Sequence, residues 1–332
     1  MSFADDVTAL LRELVRTGRF ADALAEFRRI PGSVAVRHPD AQLLAATAAM
    51  RVGDVGAAEG LAAAALEQFH ARGDADGRLR SLNLLGVVYF ERGRMQEAER
   101  VLAEALGLAN GLGDSLLAAR ANNNLASALH LRGRPEEALG LYRGALLAYQ
   151  RLGDRRGAAE SYHNLGLIFR QLGDWRNAED ATAMALRHAE LVGERGLLAL
   201  VTTGKAELMV ERAQLPQARR ELERAEHWAD EAGDEIGVAE VLRVRALAAL
   251  RSGDVAKAFE KAEAARSAAL ERGTALMAAE CSGIAALALH ALGRPNEAAA
   301  RKAEAEDGFR ALGALALLER LAREWSEAAR AN

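Results

Sequence analysis

The chain has a single cysteine, Cys281, in 332 residues, so no intramolecular disulfide can form, which fits a reducing compartment. Proline is scarce, five in all, and aromatic residues make up only 5%. Long alternations with β-branched residues are missing, and with them the expectation of a strand-built core. No run of about 18 apolar residues occurs, which excludes a spanning helix. The start, MSFADDVTALLREL, is acidic where a secretory leader is basic, and no apolar stretch follows. The formal charge of −4 leaves no basic footprint for nucleic acid. These absences predict a cytoplasmic chain without nucleic-acid or membrane partners.

What the chain has is alanine, leucine, arginine and glutamate in quantity, all strong helix formers. It also has a period. Glycines stand at Gly73, Gly113, Gly153, Gly193, Gly233, Gly273 and Gly313, each 40 residues after the last. A second series runs Gly53, Gly93, Gly133, Gly173, Ala213, Gly253 and Gly293. Two alanine ladders share the period: Ala58 to Ala298, and Ala65 to Ala305, neither with an exception. Four phased series at one period define an internal repeat. Each glycine falls where a helical run stops, the place for a left-handed residue. Asp74, Asp114, Asp154 and Asp234 follow as caps for the next helix. Pro135, Pro216 and Pro295 sit in first turns, where proline is tolerated. Each repeat is therefore helix, turn, helix, turn, and the small residues let antiparallel helices approach closely.

Segments such as SYHNLGLIFRQLGDWRNAEDATAMAL (161–186) resemble tetratricopeptide repeats. The family's landmarks fall at Tyr162, Leu165, Gly166, Phe169, Gly173, Ala178 and Ala185. The period of 40 resembles the longer-helix subgroup of polarity adaptors, kinesin light chains and bacterial peptide-sensing regulators. Eight repeats are expected, at roughly 4–38, 39–78, 79–118, 119–158, 159–198, 199–238, 239–278 and 279–318, with 319–332 as a capping helix. The resemblance implies an all-α, right-handed superhelical solenoid whose first helices line a concave groove.

Within the repeat at 119–158 three asparagines interrupt a helical stretch, ANNNLASALH, at roughly 0.5 kcal/mol each relative to alanine. Asn122 aligns with Tyr162 and Leu82 at the edge of the buried stripe and reads as a structural amide. Asn123 aligns with Asn83 and His163, and Asn124 with Asn164, both beyond that stripe. An amide offers a donor and an acceptor and so can pair with any peptide group. In the long-period relatives an asparagine at the position of Asn124 and Asn164 holds an extended backbone, and the resemblance implies that role for these two. The alternative is that the amides only keep a wet groove solvated. Arg80, Arg120 and Arg170 are expected to line the same groove, with Glu207 and Glu211 farther along, giving one basic and one acidic end. The two-carboxylate clamp of chaperone-binding relatives is absent.

Lys205 and Arg245 occupy a position that Leu85, Leu125 and Leu165 fill with buried aliphatics. Either they reach solvent or carboxylates, or they loosen the stack and mark a hinge there. No catalytic motif is legible: the seven histidines form no metal-ligand spacing, and GLANGLG is explained by the repeat. No cofactor or metal site and no enzyme activity are expected. The leading expectation is an adaptor or scaffold whose groove holds a protein or peptide segment through Asn83, Asn123, Asn124, His163 and Asn164. The alternative is a sensor that binds a signalling peptide or small molecule there and changes pitch. A monomer, or a weak homo-oligomer through the terminal helix, is expected.

Overall fold

The computed structural model describes residues 3–32 and 37–331, with side chains placed for 6–32 and 37–330. Residues 33–36 of the first expected repeat and Asn332 of the expected cap lie outside the described residues. Among the described residues there are seventeen helices and no strand, so the chain is an all-α solenoid of stacked helix pairs. It divides into two compact lobes, an N-terminal one at Met1–Leu125 and a C-terminal one at Ala126–Asn332.

The N-terminal lobe opens with α1 (Phe3–Arg16) and α2 (Phe20–Arg28). Two pairs follow: α3 (Pro39–Arg51) with α4 (Val55–Ala71), and α5 (Ala75–Glu91) with α6 (Met95–Leu112). The division falls inside α7 (Ser115–Leu131). The C-terminal lobe continues with α8 (Pro135–Leu152), α9 (Arg155–Gln171), α10 (Trp175–Val192), α11 (Arg195–Glu211) and α12 (Leu215–Ala232). It ends with α13 (Glu235–Arg251), α14 (Val255–Arg272), α15 (Ala275–Ala291), α16 (Pro295–Leu312) and α17 (Leu315–Ala331). From α3 onward, odd-numbered helices are the first members of pairs and even-numbered ones the second.

The turn chemistry explains where the helices stop. The glycines of both series have positive φ, from 61° at Gly233 to 82° at Gly253, and close each helix through the left-handed region. Ala213 is forced to the same geometry, at φ 57°, which costs about 1 kcal/mol for a residue with a Cβ. Asp74, Asp154 and Asp234 each accept a hydrogen bond from the amide three residues on, starting α5, α9 and α13. Both alanine ladders are fully buried. Alanine there leaves no room for a larger side chain, so helices of a pair pack at close range.

In the N-terminal lobe the core runs from Leu11, Leu14 and Ala23 on α1 and α2 to Ala41 and Ala48 on α3, then to Leu24, Val55, Ala58 and Val88. In the C-terminal lobe a continuous cluster joins Ala206 and Val210 of α11 to Val241, Val244 and Leu247 of α13 and Ile284 of α15. Successive first helices touch along this lobe, α9 to α11, α11 to α13, α13 to α15 and α15 to α17.

The C-terminal lobe also closes on itself. Leu131, at the end of α7, packs into the cluster of Phe309, Leu312, Ala314 and Leu321 on α16 and α17. A Cβ at Gly133 would lie 3.8 Å from Cβ of Leu315, and one at Gly313 4.0 Å from Cγ of Arg132. The α16–α17 turn therefore rests on the α7–α8 turn.

Candidate functional site

Each lobe carries its own share of the polar residues on the first helices. In the N-terminal lobe, Asn83 on α5 is 8% exposed and Asn123 on α7 is 5% exposed, whereas Asn124 is half-buried and Arg120 exposed. The sequence pattern places Asn83 and Asn123 beyond the buried stripe, yet the structure buries both. The physical reason is visible on α5, where Leu79, Ser81, Leu82, Asn83, Leu85 and Val88 are all buried. A first helix packs against its own partner and against neighbouring first helices, so burial is not confined to one stripe. Asn83 donates from Nδ2 to the Leu79 carbonyl at 3.4 Å, a weak bond, and its Oδ1 is buried with no donor. Leaving such an acceptor unpaired costs about 1–3 kcal/mol. Arg80 is bound to its neighbours: its guanidinium donates to Asp76 at 2.8 Å and Asp40 at 3.2 Å, and lies over the Phe69 ring.

In the C-terminal lobe the first-helix face is built around buried charge. Glu207 of α11, 5% exposed, stands between two guanidiniums. Arg170 of α9 approaches it at 3.1 Å, and Arg243 of α13 donates to both its oxygens at 3.1 and 3.2 Å. Arg243, 4% exposed, also donates to Glu240 at 2.5 Å and lies 3.6 Å from Glu280 of α15. Arg320 of α17 reaches Glu280 at 3.9 Å, so the ladder spans five successive first helices. Burial pulls the Glu207 carboxyl upward, but Arg170 and Arg243 outweigh it and hold the group well below the usual carboxylate range. Glu211, 3.5 Å from Arg170, is raised by its burial, and so is Glu280.

The expected separation into a basic and an acidic end does not occur. Arg170 is neutralised by Glu207 and Glu211, which the stacking brings onto it from the next first helix. His163 of α9 packs its ring against Gly204 of α11, where a Cβ would come within 2.5 Å of Cε1. Burial, aided by Arg170, pushes the imidazole down to about 4, so it is neutral near pH 7. Asn164 beside it is half-buried.

Lys205 and Arg245 both find carboxylates on α12. Lys205 Nζ donates to Glu221 at 2.8 Å, and Arg245 donates twice to Glu226 at 2.7 and 2.9 Å. Of the two expected outcomes for these residues, the contact with carboxylates is the one present, and the apolar cluster runs from α11 to α15 across this joint. Arg243, Glu280 and Arg320 are the members of the charged face that the sequence reading missed. The signal was available: Arg243 and Glu207 lie 36 residues apart, about one helical turn short of the repeat, and opposite charges recur near that spacing. Among the described residues no group of three His, Cys, Asp or Glu side chains is placed to hold a metal ion. Among the described residues no helix is long and apolar enough to cross a membrane.

Stacked helix pairs with alanine ladders and left-handed turn residues define a helical-repeat protein. Residues 39–110 and 117–191, a little under half of the chain, match the tetratricopeptide repeat model, so the chain carries tetratricopeptide repeats there. No curated protein matches the chain. Among solved structures it is similar to a Rap protein complexed with competence and sporulation factor, at 17% identity and TM-score 0.74, covering 91% of this chain and 83% of that one. The Rap conjugation gene regulator of plasmid pLS20, in complex with the Phr* peptide, is similar at 16% identity and TM-score 0.67, over 85% of this chain and 78% of that one. The apo form of RapI is similar at 15% identity and TM-score 0.60, over 82% and 97%. At these identities the likeness is one of fold.

Proposed function

We propose that this chain is a non-enzymatic binding module that holds a segment of a protein or a free peptide against its first helices. The observation that carries the reading is Asn83 Oδ1, a buried acceptor with no donor on a helix face where the repeat already concentrates amides. A peptide N–H is the natural group to complete it. Asn123 and Asn124 are the further contacts on the N-terminal lobe in this reading, and His163, Asn164 and Arg170 are the candidate contacts of the C-terminal lobe's own face. Each amide can engage a backbone whatever side chains it carries, leaving the neighbouring charges Arg80 and Arg120 to discriminate. Two of the fold neighbours are structures of complexes, one with a peptide and one with a sporulation factor, which favours a soluble signalling segment over a large folded partner. The second reading, a sensor whose helices shift on binding, draws on the same residues.

The test is selection from a random peptide display library on the immobilised chain. Wild type is expected to enrich a common motif, and Asn83→Ala combined with Asn124→Ala, both on the N-terminal lobe, to lose at least tenfold of the affinity for it. Both substitutions raise helix propensity, so lost binding would not reflect unfolding. Retention of the same peptides at the same affinity by the double variant would remove the amides from the site.

A further inference from the structure

We infer that α17 and the turn before it form a latch that closes the interior of the C-terminal lobe and must swing off the α7–α8 turn to admit a segment. This rests on the binding reading above, and concerns access to the charged face. Three observations support it. The seal is made across the whole lobe by residues far apart in the chain: Leu131 against the apolar cluster of α16 and α17, Gly133 against Leu315, and Arg132 against Gly313. The seal is thin, because Leu315 remains 52% exposed while lying on it. The inner side of α17 is held by polar and ring contacts that can exchange with water. Glu324 accepts from Arg251 at 3.0 Å, Trp325 packs its ring on His290 at 5.0 Å and faces Lys302 at 5.5 Å, and Arg320 stands off Glu280 at 3.9 Å. Leu321, seated against Gly283 at the level of α15, is the one fully buried apolar anchor among the described residues of the helix, with Leu317 and Leu318 packing beside it only partly buried.

With the latch closed, Glu280 and Glu211 have little solvent and only long contacts to arginine, 3.6 and 3.9 Å for Glu280 and 3.5 Å for Glu211. With α17 displaced, Glu280 loses Arg320 and meets water. The position of Gly133 against Leu315 also gives a way to lock the device, since 3.8 Å between Cβ atoms is the mean spacing in a disulfide. Cys281 does not compete: it is fully buried among Ala239, Ala265 and Ala269, and burial pushes its thiol up.

The experiment is carbodiimide and glycine ethyl ester labelling of Glu280 in the full chain carrying Gly133→Cys and Leu315→Cys, read by peptide mass. The oxidised form should label Glu280 at least tenfold more slowly than its own reduced form, while exposed Glu223 labels equally in both. Leu131→Ala, which weakens the seal without touching α17, should speed labelling of Glu280 severalfold over wild type. Equal rates in the oxidised and reduced forms, or an unchanged rate in Leu131→Ala, would overturn the latch. No ligand is used, so this failure leaves the peptide reading standing, and a failed peptide selection leaves the latch standing.

Discussion

Replacing Glu207 with alanine lowers stability by about 3–5 kcal/mol, read as a shift in the urea midpoint. The magnitude follows from what remains. Arg170 and Arg243 would be left facing each other, buried, with the carboxylate between them gone. Arg170 would keep only Glu211 at 3.5 Å, and Arg243 only Glu240 and Glu280, so the desolvation both guanidiniums have already suffered would no longer be fully offset. Acid titration supplies a second readout. The folded Glu207 carboxyl titrates below its unfolded value, so the unfolded chain takes up the proton first. Its stabilisation is complete above the unfolded carboxylate pKa of about 4.3 and is lost as pH falls below that. Glu207→Gln should lack that component of the acid slope.

Converting Arg170, Glu207 and Arg243 together to methionine and leucine removes the desolvation penalty of the trio but leaves Glu211 and Glu280 short of arginine, so it should cost less than Glu207→Ala alone. A triple variant that is stable yet no longer binds a selected peptide would assign the ladder to recognition. A triple variant that binds normally would make it a structural brace.

The second large effect runs the other way. Gly60 on α4, Gly107 on α6, and Gly140 and Gly144 on α8 sit in helix interiors on exposed faces. A Cβ at any of them would meet no atom within 4 Å. Each glycine lowers helix stability by about 0.8–1 kcal/mol relative to alanine. The four Gly→Ala substitutions together should therefore raise stability by about 3 kcal/mol, less where Gly140 and Gly144, one turn apart, interact. A urea titration followed by helical circular dichroism checks this, and an unchanged or lower midpoint would mean the bare faces are serving a purpose in the folded chain.

The fold was legible because its determinants are local and repeat. A left-handed turn residue must be glycine or be strained, as Ala213 shows, and a close helix crossing must be alanine or smaller. Both requirements recur at one spacing, and a single sequence displays them. The site was less legible because it depends on how neighbouring helices are offset. Asn83 and Asn123 are both buried, which the stripe of one helix does not reveal, and on α5 the burial extends around Leu79, Ser81, Leu82, Asn83 and Leu85. Glu207 meets Arg170 and Arg243 because stacked helices are displaced by about a turn, so partners do not share a repeat position. Lys205 and Arg245 showed their unusual placement in the sequence, but their partners Glu221 and Glu226 lie on the second helix of the pair, outside the stripe of the first helix.

The central claim is that the first helices form the binding face. Photo-cross-linking tests it most directly: a peptide selected on the wild-type chain, carrying a benzophenone side chain, is irradiated in complex and the attached residues are mapped by mass spectrometry. Attachment is expected on a first helix, near Asn83 or Asn124 if the N-terminal lobe holds the peptide, or near Asn164 if the C-terminal lobe does. Attachment confined to the second helices, such as α8, α10 or α12, would contradict the claim.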